Sequence, residues 1–204
     1  MSMAQLALVR HGESEWNAKG LWTGLIDISL STKGHEEAKK AGSLLSGIHF
    51  DAAFTSKLKR SRETLFEIKK VLNLVDIPTE ENTALNERDY GELTGKNKWL
   101  IKDLYGEEKF KQMRRGWNVP LPKGETLKDV YDRVIPYYIS NILPFLKSDK
   151  NVLITAHGNS LRALVKFLEQ VTDEQIPNLE IPTGQVLIYT LDTHGKVMSK
   201  EVRN

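Results

Sequence analysis

Short apolar runs that end in polar residues occur at four places in this chain. The runs Gln5–Val9, Phe50–Thr55 and Asn151–Ala156 are typical of buried strands. Gln185–Leu191 is the last strand that the pattern predicts, and a short hairpin is expected to follow it around Thr193–Lys196.

Apolar residues recur at helical spacing in four segments between and after these strands. The segments are Ser31–Ser46, Lys57–Leu72, Glu125–Leu146 and Asn159–Gln170. Thr32 is the predicted N-cap of the first helix, and Pro136 and Pro144 predict a break or kink in the third. This alternation predicts an α/β fold with three α/β/α layers, in which a mostly parallel central sheet carries helices on both faces.

The segment at about 82–124 interrupts this regular alternation. It is rich in charged and aromatic residues, its periodicity is mixed, and short helices joined by loops are expected there. With 204 residues, the chain fits one domain spanning 1–204 that contains this segment as an inserted subregion.

Composition narrows the classes of function. The chain has no cysteine, which excludes disulfides, zinc–thiolate sites and cysteine nucleophiles. A net charge of +2 argues against a nucleic-acid partner. No secretory signal and no apolar run of membrane-spanning length is visible, so we expect no membrane partner and a cytoplasmic location.

Two histidines follow two of the predicted strands. Arg10-His11-Gly12 ends the first strand, and His157-Gly158-Asn159 ends the strand at Asn151–Ala156. Ligands of parallel α/β sheets bind beyond the carboxyl ends of the strands, so both imidazoles are expected in one crevice. A single histidine after a strand is usually structural, whereas a pair at equivalent strand ends favours chemistry.

Phosphoryl transfer is the chemistry that this arrangement favours. Arginines such as Arg10 and the N-termini of the following helices suit a phosphate anion. A neutral imidazole can attack phosphorus and form a phosphohistidine, which splits one transfer into two steps. A metal site is the less favoured alternative, because the chain has no His-Glu-x-x-His pattern and the remaining histidines fall at predicted surface positions.

Ordered motifs along nearly the whole chain resemble the cofactor-dependent phosphoglycerate mutases of the histidine phosphatase superfamily, in a compact form. The motifs begin with Leu8-Val9-Arg10-His11-Gly12-Glu13-Ser14. They continue with Glu15-Trp16-Asn17, Trp22-Thr23-Gly24, Thr55-Ser56-Lys57-Leu58-Lys59-Arg60, Leu85-Asn86-Glu87-Arg88-Asp89-Tyr90-Gly91, Gly95-Lys96-Asn97-Lys98, Met113-Arg114-Arg115-Gly116-Trp117, Ala156-His157-Gly158-Asn159-Ser160 and Ile181-Pro182-Thr183-Gly184. The order and number of these motifs make the resemblance specific.

The resemblance implies a role for each matching residue. His11 would be the phosphorylated nucleophile, Arg10, Arg60 and His157 would hold the transferring group, and Glu87 would be the general acid and base. The substrate-binding residues that it implies are Ser14, Asn17, Thr23, Gly24, Tyr90, Lys98, Arg114, Arg115, Gly158 and Asn159. Arg62 lies outside the pattern and is expected on the surface.

The implied reaction interconverts 2-phosphoglycerate and 3-phosphoglycerate in glycolysis and gluconeogenesis. The resemblance implies that 2,3-bisphosphoglycerate primes His11 and that no metal takes part. The partners would be small-molecule phosphoglycerates, and the oligomeric state stays open, with a homodimer as one option.

Two departures from longer relatives bear on this expectation. The segment between Trp117 and Glu125 is short, and the chain stops soon after the last strand. Because a smaller lid excludes less water, detectable phosphatase activity is expected beside mutase activity. A phosphomonoesterase of the same superfamily and a non-catalytic module that keeps the fold are the alternative functions.

Overall fold

Six strands form one sheet in the computed structural model, which describes residues 3–74 and 76–204. The strands are β1 (Ala4–Arg10), β2 (Ala52–Thr55), β3 (Thr79–Glu81), β4 (Val152–Ala156), β5 (Val186–Leu191) and β6 (Val197–Arg203). Their order is β3-β2-β4-β1-β5-β6. The first four strands in this order run parallel, β5 pairs antiparallel with β1, and β6 pairs antiparallel with β5. The predicted mostly parallel sheet and the hairpin after β5 are therefore confirmed.

Helices cover both faces of the sheet. They include α2 (Thr32–Leu44), α3 (Lys59–Leu72), α6 (Leu127–Tyr137), α7 (Leu143–Lys147) and α8 (Gly158–Glu169). Leu6 and Leu8 of β1 pack into the core cluster that includes α6 and α8, whereas Ala7 and Val9 pack into the cluster that includes α2 and α3. Successive side chains of a strand point to opposite faces, and the continuous apolar run of β1 therefore serves two cores. The predicted three-layer arrangement is confirmed.

The sequence pattern does not predict two short elements, because neither has an apolar face. The strand β3 consists of exposed polar residues and was not predicted, although it pairs with β2 and forms one edge of the sheet. The helix α1 (Glu15–Ala18) was not predicted either, because it spans one turn and has no buried residue. Periodicity detects a segment only when one of its faces is apolar.

The predicted break in the long helix after Glu125 occurs between its two prolines. Pro136 lies inside α6, a π-helical turn covers Tyr138–Ile142, and Pro144 opens α7. Proline has no N–H to donate and its ring crowds the preceding turn, so the regular hydrogen-bond ladder cannot run through this region. The chain keeps a helical course through the widened turn.

The N-terminus of α2 differs from the prediction by one residue. Ser31 is the N-cap, not Thr32, and its hydroxyl accepts a hydrogen bond from the Gly34 N–H at 3.1 Å. Gly34 also touches the loop that follows β1, because a Cβ added at Gly34 would lie 2.0 Å from the Glu13 carbonyl oxygen. The backbone of α2 therefore packs directly against the segment that carries His11.

Replacing Gly34 with alanine should destabilise the protein by about 1–3 kcal/mol, the usual cost of overpacking. Helix propensity alone predicts the opposite sign, a gain of up to about 1 kcal/mol. Denaturant unfolding checks the sign, with the exposed Ser43 of the same helix as the control in Ser43→Ala. A Gly34→Ala variant that is more stable than the wild type would show that the loop carrying His11 moves away from the added methyl group at little cost in free energy.

The segment at about 82–124, which the sequence analysis treats as an inserted subregion, contains short helices joined by loops. They are two 3₁₀ turns at Thr83–Leu85 and Gly91–Leu93 and the helices α4 (Lys98–Tyr105) and α5 (Glu107–Arg115). Residues of this subregion, among them Tyr90, Phe110 and Leu121, form a small separate apolar cluster with the fully buried Trp22 from the loop after β1. In the described part of the chain, no helix has the length and apolar character needed to cross a bilayer.

Candidate active site

The register of the sheet brings the two strand-end histidines together. Arg10 at the end of β1 pairs with Ala156 at the end of β4, and the His11 N–H donates to the Ala156 carbonyl at 3.0 Å. The imidazole centroids of His11 and His157 are 4.9 Å apart, with the rings inclined at 61°. The two strand-end imidazoles that the sequence predicts to lie together are therefore adjacent at the carboxyl edge of the sheet.

One ring nitrogen of His11 is hydrogen-bonded to the backbone. Its Nδ1 lies 2.6 Å from the Gly12 carbonyl oxygen, which can only accept, so Nδ1 carries the proton and Nε2 keeps a free lone pair. Burial, followed by the nearby Arg60 and Arg10 guanidinium groups, lowers the pKa of His11 well below its usual value. A neutral imidazole with an unprotonated Nε2 has the form that a nucleophile requires.

His157 is fully buried beside His11 and is fixed by a serine that the sequence analysis did not single out. Its Nε2 lies 2.7 Å from the Ser56 hydroxyl, while Nδ1 has no hydrogen-bond partner among the described residues. Burial and then the charge of Arg60 lower the pKa of His157 well below its usual value. A bound phosphoryl dianion would oppose this shift, because an adjacent negative charge favours the imidazolium form.

Two buried arginines flank the histidines. Arg10 donates from Nη1 to the Ile181 carbonyl at 2.6 Å, and its buried Nε has no partner among the described residues. Arg60, near the start of α3, donates to the carbonyls of Ile26 and Gly24 at 2.9 and 2.8 Å. Burial lowers the pKa of Arg60 to about 10, so Arg60 is cationic at neutral pH and supplies positive charge that a phosphate needs.

Glu87 faces this cationic pair from the inserted subregion and is nearly buried. Its Oε1 accepts hydrogen bonds from the backbone N–H groups of Arg88 and Asn159 at 2.7 and 3.2 Å. The Asn159 amide Nδ2 donates both to this oxygen, at 3.0 Å, and to the Tyr90 hydroxyl, at 2.8 Å. The second carboxylate oxygen, Oε2, lies close to the Cα of Gly158, since a Cβ there would be 3.6 Å away.

Three further arginines, which the sequence analysis did not assign to the site, hold the residues of this network in place through hydrogen bonds. Arg133 donates to the Glu87 carbonyl at 3.0 Å, and Arg162 donates to the Asn159 Oδ1 at 2.9 Å. The fully buried Arg88 donates to backbone carbonyls of the inserted subregion, including that of Met113 at 3.2 Å. One sequence signal was available for Arg162, because it is a charged residue within the apolar run Leu161–Val165 of α8.

The predicted distal cations lie on the inserted subregion. Arg114 and Arg115 line a pocket together with Arg10, Glu87 and Tyr90. Burial, followed by the charges of Arg114 and Arg10, lowers the pKa of Lys98 to about 8. Burial raises the pKa of Tyr90, whose hydroxyl therefore stays protonated as a donor at neutral pH. Arg114, Arg115 and Lys98 thus concentrate positive charge around this part of the site.

The remaining predicted binding residues belong to the loop between β1 and α2. Ser14 and Asn17 cap α1 reciprocally, with each side chain accepting from the other's backbone N–H at 3.2 Å. The Thr23 hydroxyl is buried and has no partner among the described residues. Gly24 has φ +54°, and its carbonyl accepts from Arg60. Ser14 thus acts on the helix cap in this structure, whereas Thr23 has an unused polar atom for a ligand.

Arg62, expected outside the site, lies on the surface. Its guanidinium pairs with Glu81 of β3 at 3.0 Å, and both side chains are about half exposed. Among residues 3–74 and 76–204, no group of three or more histidine, aspartate and glutamate side chains is arranged to hold a metal ion.

Comparisons with known proteins match the whole chain. The profile of the histidine phosphatase superfamily (branch 1) matches residues 6–202. A protein named 2,3-bisphosphoglycerate-dependent phosphoglycerate mutase from Beijerinckia indica is 49% identical over 199 residues, covering 97% of this chain and 96% of the relative. A protein of the same name from a Bradyrhizobium species is 48% identical over 202 residues, covering 98% of each chain.

A solved structure has a similar fold. YhfR from Bacillus stearothermophilus is similar with a TM-score of 0.79 and 26% identity, covering 95% of this chain and 94% of that one. The chain therefore belongs to branch 1 of the histidine phosphatase superfamily and, within it, to the family of the 2,3-bisphosphoglycerate-dependent phosphoglycerate mutases.

Proposed function

We propose that this protein interconverts 2-phosphoglycerate and 3-phosphoglycerate through a phosphohistidine at His11. The observation that carries the proposal is the pairing of a free Nε2 on neutral His11 with a cationic surface at both ends of the site. The names of relatives that are 48–49% identical over nearly the whole chain support the same reaction. The finer steps below extend that reaction to the individual side chains.

The priming step we propose uses 2,3-bisphosphoglycerate as the donor. His11 Nε2 attacks a phosphorus atom, the N–P bond forms, and the bond from phosphorus to the glycerate oxygen breaks. The carboxyl group of Glu87, in its protonated form, gives its proton to that leaving oxygen. Arg10, Arg60 and His157 balance the charge on the phosphoryl oxygens during the transfer.

The return step transfers the phosphoryl group from His11 to the bound monophosphoglycerate and so leads to the other isomer. A free hydroxyl of the bound monophosphoglycerate attacks the phosphohistidine, an O–P bond forms, and the N–P bond breaks. Glu87 as a carboxylate takes the proton of that hydroxyl. The bisphosphorylated intermediate then turns end for end, and its other phosphoryl group passes to Nε2.

The distal cations are the reason to favour a mutase over a simple phosphatase. A bisphosphorylated glycerate is anionic at both ends and also carries a carboxylate. Arg114 and Arg115 line the pocket and Lys98 lies close to Arg114 and Arg10, so the site holds more cations than one phosphate group needs. Holding several cations close together without an anion is costly, so their presence favours a ligand with a second anionic group.

Purified protein with 3-phosphoglycerate and a catalytic amount of 2,3-bisphosphoglycerate should produce 2-phosphoglycerate. Phosphorus NMR separates the two isomers from inorganic phosphate in one sample. Omitting the primer should introduce a lag, because unphosphorylated His11 has no group to transfer. Inorganic phosphate that accumulates with no isomer would sink the mutase proposal and favour the phosphomonoesterase alternative.

A further inference from the structure

The distal end of the site contains an ion pair that the proposed reaction does not use. Arg115 donates from Nη2 to the Oε1 of Glu180, and this is the one side-chain partner that the described residues give to either group. Arg114, the preceding residue, has no such carboxylate partner in the described part of the chain and lies over the Phe110 ring. The two neighbouring arginines therefore differ: Arg115 is already paired and Arg114 is not.

The backbones on both sides of this pair are fixed by one buried arginine. Arg162 donates from Nη2 to the Arg115 carbonyl at 2.6 Å and from Nε to the Leu179 carbonyl at 3.0 Å. Ile181, on the other side of Glu180, is buried in the main core and accepts from Arg10. Glu180 is thus presented from a rigid segment, and only its side chain is free to move.

The side chains themselves are far less constrained. The Glu180 side chain is 53% exposed and that of Arg115 is 22% exposed. Exposed ion pairs contribute little to stability, since water solvates the separated charges well. An incoming anion can therefore break this pair at small cost, provided that it binds Arg115 better than a carboxylate does.

Glu180 also carries negative charge into a pocket that is otherwise built for anions. The carboxylates that line this pocket in the described residues are Glu87 and Glu180, and the cations are Arg10, Arg114, Arg115 and Arg162. Glu87 is tied to backbone N–H groups, whereas Glu180 contacts a cation that a substrate would need. Glu180 thus pairs with a cation that the proposed substrate would bind through one of its own anionic groups.

On the basis of the function proposed above, we propose that Glu180 is a specificity-determining residue that competes with the substrate for Arg115. In the free protein its carboxylate pairs with Arg115, and the second anionic group of a ligand, placed at the distal end, displaces it. A ligand with one anionic group held at the His11 end gains nothing from Arg115 and leaves the pair intact. The competition therefore selects ligands with a second, strongly anionic group.

Calorimetric binding of 3-phosphoglycerate and inorganic phosphate tests this competition without any turnover. Glu180→Gln should bind 3-phosphoglycerate about two- to fivefold more tightly than the wild type, the range expected when a solvent-exposed ion pair no longer competes. Inorganic phosphate should bind with less than a twofold change. Glu201→Gln is the matched control, because Glu201 pairs with Arg203 and its side chain is 56% exposed.

Combining the change with Arg115→Ala separates direct competition from a general charge effect. In the Arg115→Ala background, Glu180→Gln should no longer tighten 3-phosphoglycerate binding. An equal gain in both backgrounds overturns the proposal, and so does weaker or unchanged binding by Glu180→Gln alone. A wild type that binds 3-phosphoglycerate no better than inorganic phosphate overturns it as well. Absence of isomerisation with the binding differences intact refutes the mutase and leaves the competition standing.

Discussion

Replacing His11 with alanine should abolish the acid-labile phosphoenzyme and lower kcat by about 10⁴-fold or more, as loss of a catalytic nucleophile does in other enzymes. The reason lies in the free Nε2 of His11, which lies close to the positive charges of Arg10 and Arg60 and beside the His157 ring. The Nε2 of His157 is hydrogen-bonded to Ser56 and is not available in the same way. The phosphoenzyme is measured by incubation with labelled 2,3-bisphosphoglycerate and trapping in base, where phosphohistidine survives.

His49→Ala is the control for this experiment. The His49 side chain is 80% exposed on the surface and lies 3.7 Å from Asp51, so its removal should change neither phosphorylation nor turnover. Because His11 is buried, His11→Gln provides a second variant that fills the space. A phosphoenzyme that still forms in both His11 variants would move the nucleophile to another residue.

Changing Glu87 to glutamine should lower the rate of isomerisation by about 10² to 10⁴-fold, the usual contribution of a general acid or base. Glutamine keeps an oxygen that can accept from the N–H groups of Arg88 and Asn159, but it has no proton to exchange with a glycerate oxygen. Phosphoryl transfer from p-nitrophenyl phosphate to His11 should be affected much less, because nitrophenolate leaves without protonation. Comparing the two donors therefore isolates the proton transfer.

Glu92→Gln is the matched control for Glu87→Gln. Glu92 lies in the same subregion, pairs with the exposed Lys123 at 3.1 Å, and is itself about half exposed. Its substitution should leave both donors unchanged. If Glu87→Gln slows both donors equally, Glu87 acts through the electrostatics of the arginine cage and another group must move the proton.

The fold and the centre of the site could be predicted because both depend on local patterns. Apolar runs locate β1 and β4, and parallel pairing then puts their carboxyl ends at one edge, so His11 and His157 had to meet. The inserted subregion could be recognised only as irregular. Its role in supplying Glu87, Tyr90 and the distal arginines came from the family resemblance and not from periodicity.

The parts that could not be predicted depend on charged residues whose burial is decided by distant segments. Arg88 and Arg162 are buried and Arg133 is partly buried, because backbone carbonyls far away in sequence accept from them. The pair of Arg115 with Glu180 joins residues 65 positions apart. A charge is solvated by default, so only the three-dimensional arrangement shows which charges are held inside.

The reciprocal cap of α1 decides which end of the Asn17 amide an anion would meet. The Oδ1 accepts from the Ser14 N–H, and the amide is thereby prevented from flipping, with its Nδ2 left free to donate. Aspartate would cap this one-turn helix equally well, but it would present an oxygen where asparagine presents a donor. The exchange changes little for the helix, but it decides whether the phosphate contact predicted for Asn17 has a hydrogen-bond donor or only an acceptor.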